Sequence, residues 1–514
     1  MTRIVRTMQE ITERDHDLVV IGGGIHGCLA ALDAARRGLR VALIERDDFG
    51  GATSWASHRI LHGGLRYLQS LDFNRARRSI AERRWYLRTF PDLCEPLRCA
   101  LPLYGDGLRR PLPFQAALAA NAILGVRRNA GIPAKVRLPN GAVEPPARAD
   151  EINPYARRDG LLGFGTWHDG IVRSHARLTM EILRWAASLG AMAARNVAAV
   201  ELQVSRGGVV GIEVKDTRSG ETGVLRTAAV INAAGPWCHG LARALDAEGI
   251  GSSSPVSLAF NLLLDRPAPG GACAVSTEGS DGHTYFLAPR HGLMMAGTTH
   301  LPARDGADAP TADDVRAMIH GLNAAAPSLE LTESDVLRVD SGRLRAEPRD
   351  PATPADRAVI IDHARSGGPA GLVSLSGVKY TTARADAAAA VAIAAGRRPV
   401  TPAGRARPEP DPVLRDLNLI DPAWARRADL GPAADALRSL ADREGVSTLA
   451  DLLFRRTEWG QDPRGLADLA ERVGRALGWD DDRIRRDVAD LVQAPPAPGP
   501  MSDPRTARQE PATP

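Results

Sequence analysis

Asp17-Leu-Val-Val-Ile-Gly-Gly-Gly-Ile-His-Gly27, closed by Val41-Ala-Leu-Ile-Glu45, is the stretch whose reading decides the fold. A β-branched apolar run halts at three glycines, an alanine-rich segment of helical spacing follows from Leu29 to Arg37, and a second apolar run ends on an acid. That order is a β-α-β unit. Gly22, Gly24 and Gly27 stand in G-x-G-x-x-G register: the first permits a tight turn, the second lets backbone approach a pyrophosphate, the third lets helix pack close to strand. The helix N-terminus offers unsatisfied N–H groups and the positive end of its dipole to phosphates. Glu45, with Arg46 beside it, falls about 20 residues further on, where a carboxylate accepts from ribose hydroxyls and disfavours a 2′-phosphate.

Composition bounds the rest. A chain of 514 residues has room for two or more domains, and 44% hydrophobic with 25% charged residues is ordinary for a globular protein. Lys and Arg number 65 against 61 Asp and Glu, so the net charge of +4 gives no reason to invoke nucleic acid. Five scattered cysteines without C-x-x-C spacing argue against a disulfide scaffold or a metal site and fit a reducing cytosol. The N-terminus lacks an h-region, and no apolar run reaches the ~18 residues of a spanning helix.

Residues 1–15 read as a mobile leader, and 16–395 as a dinucleotide-binding domain interleaved with a cap at about 100–150 and 255–350. Gly50 to Leu68 is a small, polar segment that suits close approach to a ligand, and a helix follows from about Phe73 to Thr89. Pro113 to Val126, apolar and bracketed by Arg109-Arg110 and Arg127-Arg128, suits a cap, an interfacial helix, or a buried helix with solvated basic ends. Ala193 to Val204, Gly208 to Lys215 and Val224 to Ile231 read as a meander, the last running into Asn232-Ala-Ala-Gly-Pro-Trp237. A strand at Gly371 to Leu375 leads into Ser376-Gly-Val-Lys-Tyr-Thr-Thr-Ala-Arg384 and a helix to Ala395, another N-terminal cofactor contact. The Arg- and Pro-rich stretch 396–412 reads as a linker, 413–493 as a small helical domain, and 494–514 as a disordered tail.

Taken together, Val20 to Gly27, Asp33 to Leu39, Leu61-His-Gly-Gly-Leu-Arg-Tyr-Leu68, Asn232 to Trp237, Ala296-Gly-Thr-Thr299, Gly377-Val-Lys-Tyr-Thr-Thr382 and Asp451-Leu-Leu-Phe-Arg-Arg-Thr457 resemble one family. It is the FAD-dependent glycerol-3-phosphate dehydrogenase and oxidase family, within the D-amino-acid-oxidase-like flavoproteins. The resemblance implies an α/β fold: a Rossmann-like FAD-binding domain interleaved with a mixed-sheet substrate domain, plus a C-terminal helical domain. It implies FAD held by Gly22, Gly24, Gly27, Glu45 and Arg46 at the ADP half. Thr53, Ser54, Ser57, Gly63, Gly64 and Leu65 would lie along the ribityl chain and flavin, Val197 at the adenine, Ala233 and Gly235 near the cofactor, and Gly377, Lys379 and Thr381 at the flavin end. Arg66, Tyr67 and Lys379 would face substrate, Arg66 as a bidentate anion grip. The implied chemistry is oxidation of a secondary alcohol on a small anion, sn-glycerol 3-phosphate foremost, with hydride passing to the flavin and electrons to quinone or dioxygen. A cytoplasmic protein, peripheral at the inner membrane face or homodimeric, fits this reading, with no metal.

Three positions depart from the family pattern. Asn261, within Ser257 to Leu264, stands where a candidate base histidine is common, and an amide cannot accept a proton at neutral pH. Ser341-Gly-Arg-Leu-Arg-Ala-Glu-Pro348 leaves Arg343 or Arg345, or neither, as the phosphate-binding arginine, and Ile361 occupies another arginine position beside Asp362 and His363. His300 and His62 are the replacement base candidates. Another polyol phosphate, a phosphonate or a hydroxy acid is the alternative substrate; an amine or amino-acid oxidase and a flavin protein without turnover are the competing classes.

Overall fold

The structure, a computed structural model, describes residues 3–65, 67, 72–105, 109–238, 255–270, 273–278, 284–304, 308–396, 406–409 and 417–493. The strand Leu18–Ile21 and the strand Val41–Glu45, joined by the helix Ile25–Arg36, form the expected β-α-β unit. They sit at the centre of a seven-stranded sheet ordered Val5–Arg6, Met192–Arg195, Val41–Glu45, Leu18–Ile21, Val230–Asn232, Leu372–Ser376 and Val359–Asp362. Neighbours run parallel except at the last edge. The inner strands Leu18–Ile21 and Val230–Asn232 are buried throughout, as parallel strands covered on both faces must be. The helices Ile25–Arg36, His175–Ser188 and Ala383–Ala395 pack on one face in a single apolar core.

The other face carries the antiparallel meander Val197–Ser205, Gly208–Asp216 and Thr222–Arg226. The expected strand Ala193 to Val204 is two strands, broken at Asn196, whose φ of 56° turns the chain out of the parallel sheet. Asn is among the few residues that tolerate that region.

A second, mixed sheet of ten strands forms the cap, and it is wider than the expected cap. It takes in Ile60–Leu61, Cys94–Leu103 and Gly163–Val172 as well as Val256–Leu264, Leu293–Pro302 and Val336–Glu347. The two long strands Cys94–Leu103 and Gly163–Val172 pair in antiparallel register along their full lengths, which is the platform under the substrate side of the molecule.

Residues 3–15 are ordered, which corrects the mobile leader. Val5–Arg6 extends the parallel sheet beside Ala193 and Ala194, Ile4, Val5 and Ile11 are buried, and Ile4 N–H donates to Arg443 O of the C-terminal domain at 2.9 Å. Thr7 and Glu10 form a reciprocal capping box on the helix Met8–Thr12, the T-x-x-E signature of a helix start. Within the expected linker, Arg407 is pinned to Asp92 and Glu181 and lies 4.5 Å from the centre of the Phe90 ring. The tail 494–514 lies outside the described residues.

The C-terminal unit is helical: Pro422–Arg427, Ala434–Arg443, Leu466–Leu477 and Asp481–Gln493, with a π-helical turn at Asp451–Arg456. Its core includes Trp55 of the first domain.

Candidate active site

The glycine fingerprint is a cradle that side chains would fill. A Cβ on Gly27 would stand 1.9 Å from Gly22 O, and one on Gly22, whose φ is +100°, would stand 2.7 Å from Ala233 O. Gly24 caps the helix Ile25–Arg36 without a side chain; Ser54 Oγ accepts from Ile25 N–H at 3.0 Å instead. Glu45 accepts from Gly23 N–H at 2.6 Å and from Asp47 N–H at 2.9 Å, and burial raises its carboxyl pKa despite those two bonds. Asn196 N–H donates to Asp47 O at 3.0 Å, which brings Val197 beside the acid and its neighbour Arg46. Gly235 opens the turn after Val230–Asn232, and Gly377 lies against the ring of His26, where a Cβ would stand 2.0 Å from Nε2. Ser57 Oγ is buried without a hydrogen-bond partner, and His26 Nε2, also without a hydrogen bond, lies 3.8 Å from Asp386 Oδ2. Cradle, ribose acid and unsatisfied donors fit a dinucleotide such as FAD: Gly22 to Gly27 with Ser54 would hold its diphosphate and Glu45 its ribose.

Past the cradle, the segment 60–65 crosses to the substrate sheet. His62 Nδ1 lies 3.2 Å from Asp169 Oδ2, and His62 N–H donates to Thr381 Oγ1 at 3.2 Å. Asp169, on the strand Gly163–Val172, also accepts from Gly63 N–H at 2.7 Å, from Arg83 Nη1 at 2.5 Å and from Trp167 Nε1 at 3.3 Å. Burial pushes the Asp169 pKa up, but the His62 hydrogen bond and the Arg83 charge prevail and hold it at about 2. An ionised Asp169 accepts a hydrogen bond from His62 Nδ1–H, leaving Nε2 as a proton acceptor. The imidazole is 48% exposed while Asp169 and Arg83 are 4% and 3% exposed, so a solvent-facing base stands on a buried ionic foundation. Phe286 packs beside the ring at 5.5 Å. His58, also against Phe286, is held neutral: burial, Arg290 and His62 push its pKa down to about 3.

Gly63 and Gly64 serve this foundation. A Cβ on Gly63 would strike Arg83 Nη1 at 1.9 Å, and one on Gly64 would lie 2.9 Å from Ala76 Cα. Their small size answers the helix Phe73–Thr89, where the sequence suggested ligand approach. Leu65 packs with Leu103, Phe114 and Leu118.

Lys379 and Tyr67, both expected to face substrate, meet in the structure: Lys379 Nζ donates to Tyr67 OH at 3.1 Å. Arg75 lies 4.2 Å from the centre of the Tyr67 ring and pairs with Asp356 at 2.7 Å; Lys379 is 3.7 Å from the same carboxylate. Two cations thus flank one phenol at the edge of the His62 cluster. Arg66 lies outside the described residues.

The departures acquire physical roles. Asn261 is buried: Nδ2 donates to Ala56 O at 2.9 Å and Oδ1 accepts from Thr298 Oγ1 at 2.8 Å, so its amide ties the segment after the Ala52–Trp55 helix to the substrate sheet. An amide fills both roles at once, as donor and acceptor. Arg343 Nε pairs with Asp308 at 2.5 Å, while its carbonyl accepts from Thr53 Oγ1 at 2.6 Å. Arg345 pairs with Val256, and His300 with Ala259, inside the substrate sheet. Ile361 lies on the edge strand Val359–Asp362 opposite Ser374, and His363 Nε2 meets Ser374 Oγ at 2.8 Å. Asp169 and Arg83 carried no motif; the signal was an acid inside the strand-like run Gly163 to Val172, legible only once that run is known to face His62.

A family model described as FAD dependent oxidoreductase matches residues 17–394. The glycerol-3-phosphate dehydrogenase of Synechocystis sp. is 33% identical over 401 residues, 74% of this chain and 70% of the relative. The mitochondrial glycerol-3-phosphate dehydrogenase of Mus musculus is 30% identical over 385 residues, 72% of this chain, which spans 51% of the mouse protein. The structure of the glycerol-3-phosphate dehydrogenase from Bacillus halodurans complexed with FAD aligns with a TM-score of 0.68 at 22% identity, covering 95% of both chains, a likeness of fold. The fingerprint cradle, the His62 to Tyr67 block and these matches agree, and the chain belongs to the FAD-dependent oxidoreductases of the glycerol-3-phosphate dehydrogenase type, with FAD as cofactor.

Proposed function

We propose that the protein oxidises the secondary alcohol of sn-glycerol 3-phosphate to the ketone of dihydroxyacetone phosphate, with quinone or dioxygen as final electron acceptor. The observation that carries the reading is the juxtaposition of a carboxylate-held imidazole, His62 on Asp169, with the cationic pair Lys379 and Arg75 around Tyr67. Lys379 donates to the anionic end of the substrate, with Arg66 assigned to the same end by its place in the family block. His62 Nε2 takes the hydroxyl proton as the carbonyl forms. Bound FAD supplies the two-electron acceptor for the hydrogen on the adjacent carbon. Asn261 and Arg343, tied to backbone and to Asp308, leave the proton to His62 and the anion to Lys379 and its neighbours.

The test is anaerobic bleaching of the protein's flavin absorbance by a panel of polyol phosphates, hydroxyphosphonates, hydroxy acids, glycine and D-amino acids. Millimolar sn-glycerol 3-phosphate is expected to bleach it and the amino acids to leave it oxidised. Bleaching by another panel member, with glycerol 3-phosphate inert, moves the substrate assignment to that member; ammonia release from an amino acid moves it to the amine-oxidase class.

The acceptor side has its own support. The helix Pro111–Leu124 rests on Phe114 and Leu118 and turns Leu112 and Ile123 outward at 79% and 76% exposure, with Val126 beyond its end at 81%. Arg110 and Arg127 flank these side chains, and no helix among the described residues is long and apolar enough to cross a membrane. Apolar tips between arginines suit the surface of an anionic bilayer, where a quinone resides. Co-sedimentation with anionic vesicles is expected for the wild type and lost in the triple variant Leu112→Glu, Ile123→Glu, Val126→Glu; equal binding by both rejects this surface.

A further inference from the structure

The junction between the C-terminal domain and the cofactor loop is lined with buried charge, and its bookkeeping leaves one cation over. Arg456, fully buried, grips Asp48 through two bonds of 2.8 and 2.9 Å. Arg177 grips Glu444 at 2.9 and 2.7 Å, and Arg195 grips Asp451 at 2.6 and 3.1 Å. Each of these three arginines has its own carboxylate. Arg455, a partly exposed side chain, has no carboxylate partner among the described residues, and its Nη1 is shielded from solvent without a hydrogen-bond partner. The guanidinium lies 4.8 Å from the centre of the Trp55 ring, and burial, the largest influence on it, disfavours its charge. The nearest carboxylates are spoken for, Asp48 and Asp451 as above and Glu45 by the N–H groups of Gly23 and Asp47.

A guanidinium nitrogen shielded from water and left without an acceptor beside the cofactor loop points to an anionic oxygen that arrives from outside. The position says which. Arg455 Nη2 would stand 3.7 Å from a Cβ on Gly51. Gly51 lies on the loop between Glu45, at the ribose, and the helix Ala52–Trp55, whose Ser54 caps the N-terminus of the fingerprint helix. Gly51, without a side chain, leaves room beside that guanidinium nitrogen. Trp55, between Arg455, Phe454 and His175, keeps that helix in place.

We propose that Arg455, brought from the C-terminal domain, is a cofactor-binding residue that meets the diphosphate–ribose part of FAD, so that docking of that domain and retention of the cofactor are coupled. The helix N-terminus and the glycine cradle then supply backbone donors, and Arg455 supplies the side-chain charge.

The experiment compares full-length holoenzyme with Arg455→Met, which keeps the stack on Trp55, and Arg455→Lys, which keeps the charge. The FAD dissociation constant is read from fluorescence recovered on dilution, and ADP and adenosine serve as displacing probes with and without the diphosphate. Arg455→Met is expected to weaken FAD and ADP at least tenfold and adenosine less than twofold, with Arg455→Lys within threefold of wild type. On heating, the flavin-release midpoint of Arg455→Met falls while its far-UV unfolding midpoint holds. FAD and ADP affinities unchanged in both variants overturn the proposal, and so does parallel loss of flavin and fold in both, which would assign Arg455 to packing alone.

Discussion

The cofactor cradle and the substrate face lie side by side yet are built on different plans. The cradle is the more local: its hydrogen bonds join Gly23 to Glu45, 22 residues apart, and Ile25 to Ser54, 29 apart, and its selectivity is steric, set by glycines against backbone. The substrate face is assembled across the chain, with His62 and Asp169 107 residues apart and Tyr67 and Lys379 312 apart, and it works through charge. A cradle of backbone contacts fails abruptly when an atom is added. A face of side chains responds in graded fashion to charge and pH.

The largest expected effect breaks the cradle. Gly27→Val puts carbon where Gly22 O already sits at 1.9 Å from the first added atom, and the purified protein is expected to carry less than a tenth of the wild-type flavin, read from the ratio of visible to ultraviolet absorbance. Flavin content near wild type would show that the helix can slide to make room.

On the substrate face, His62→Gln is expected to lower kcat by about 10²–10⁴-fold, the usual worth of a general base, with KM within threefold and full flavin content. A kcat within threefold of wild type removes His62 from proton transfer. Asp169→Asn should lower kcat with it and also destabilise the fold by about 3–5 kcal/mol, because Arg83 is left buried without its carboxylate; denaturant midpoints separate the two losses. Lys379→Ala is a smaller, selective change: about tenfold in KM, or about 1.4 kcal/mol of anion binding, with little effect on kcat. An unchanged KM would leave Arg66 and Arg75 as the anion grip.

The smallest effect concerns pH. His58, held down to about 3, and His291 and His175, also lowered by burial, are neutral when folded. Their unfolded forms bind protons below about 6.5, so stability is full above that pH and declines as pH falls from 6.5 toward 3. Asp169, depressed to about 2, adds its own loss only below its unfolded value near 4. Denaturant midpoints are therefore expected to begin falling near pH 6, and His58→Asn to soften that first limb while leaving the acid limb in place; a first limb unchanged in His58→Asn would assign it to the other histidines.

The two plans also explain what could be read in advance. The β-α-β unit, Glu45 and the run into Asn232 to Trp237 follow from short patterns or from a family block; the meeting of Tyr67 with Lys379, 312 residues apart, came only with the fold. The N-terminal helix was written in Thr7 and Glu10, but the strand Val5–Arg6 before it looks like a charged leader without its partner Ala193. The long strands Cys94–Leu103 and Gly163–Val172 carry prolines, glycines and charges that blur alternation, and cap width was missed for that reason.

By itself the sequence determined the class of fold and cofactor, because a turn of φ +100° at Gly22 and a Cβ-free contact at Gly27 are demands on single residues within one β-α-β unit. Only the tertiary structure decided what the remaining polar residues do. It made Asn261 a bridge between backbone and Thr298, turned Arg343 to Asp308, set Asp169 beneath His62, and left Arg455 without a carboxylate. The physical reason is that a glycine's constraint acts on its own backbone and nearest neighbours, whereas the role of a charged or amide side chain is fixed by whichever partner the folded chain brings within 3 Å, and by the absence of water to replace it.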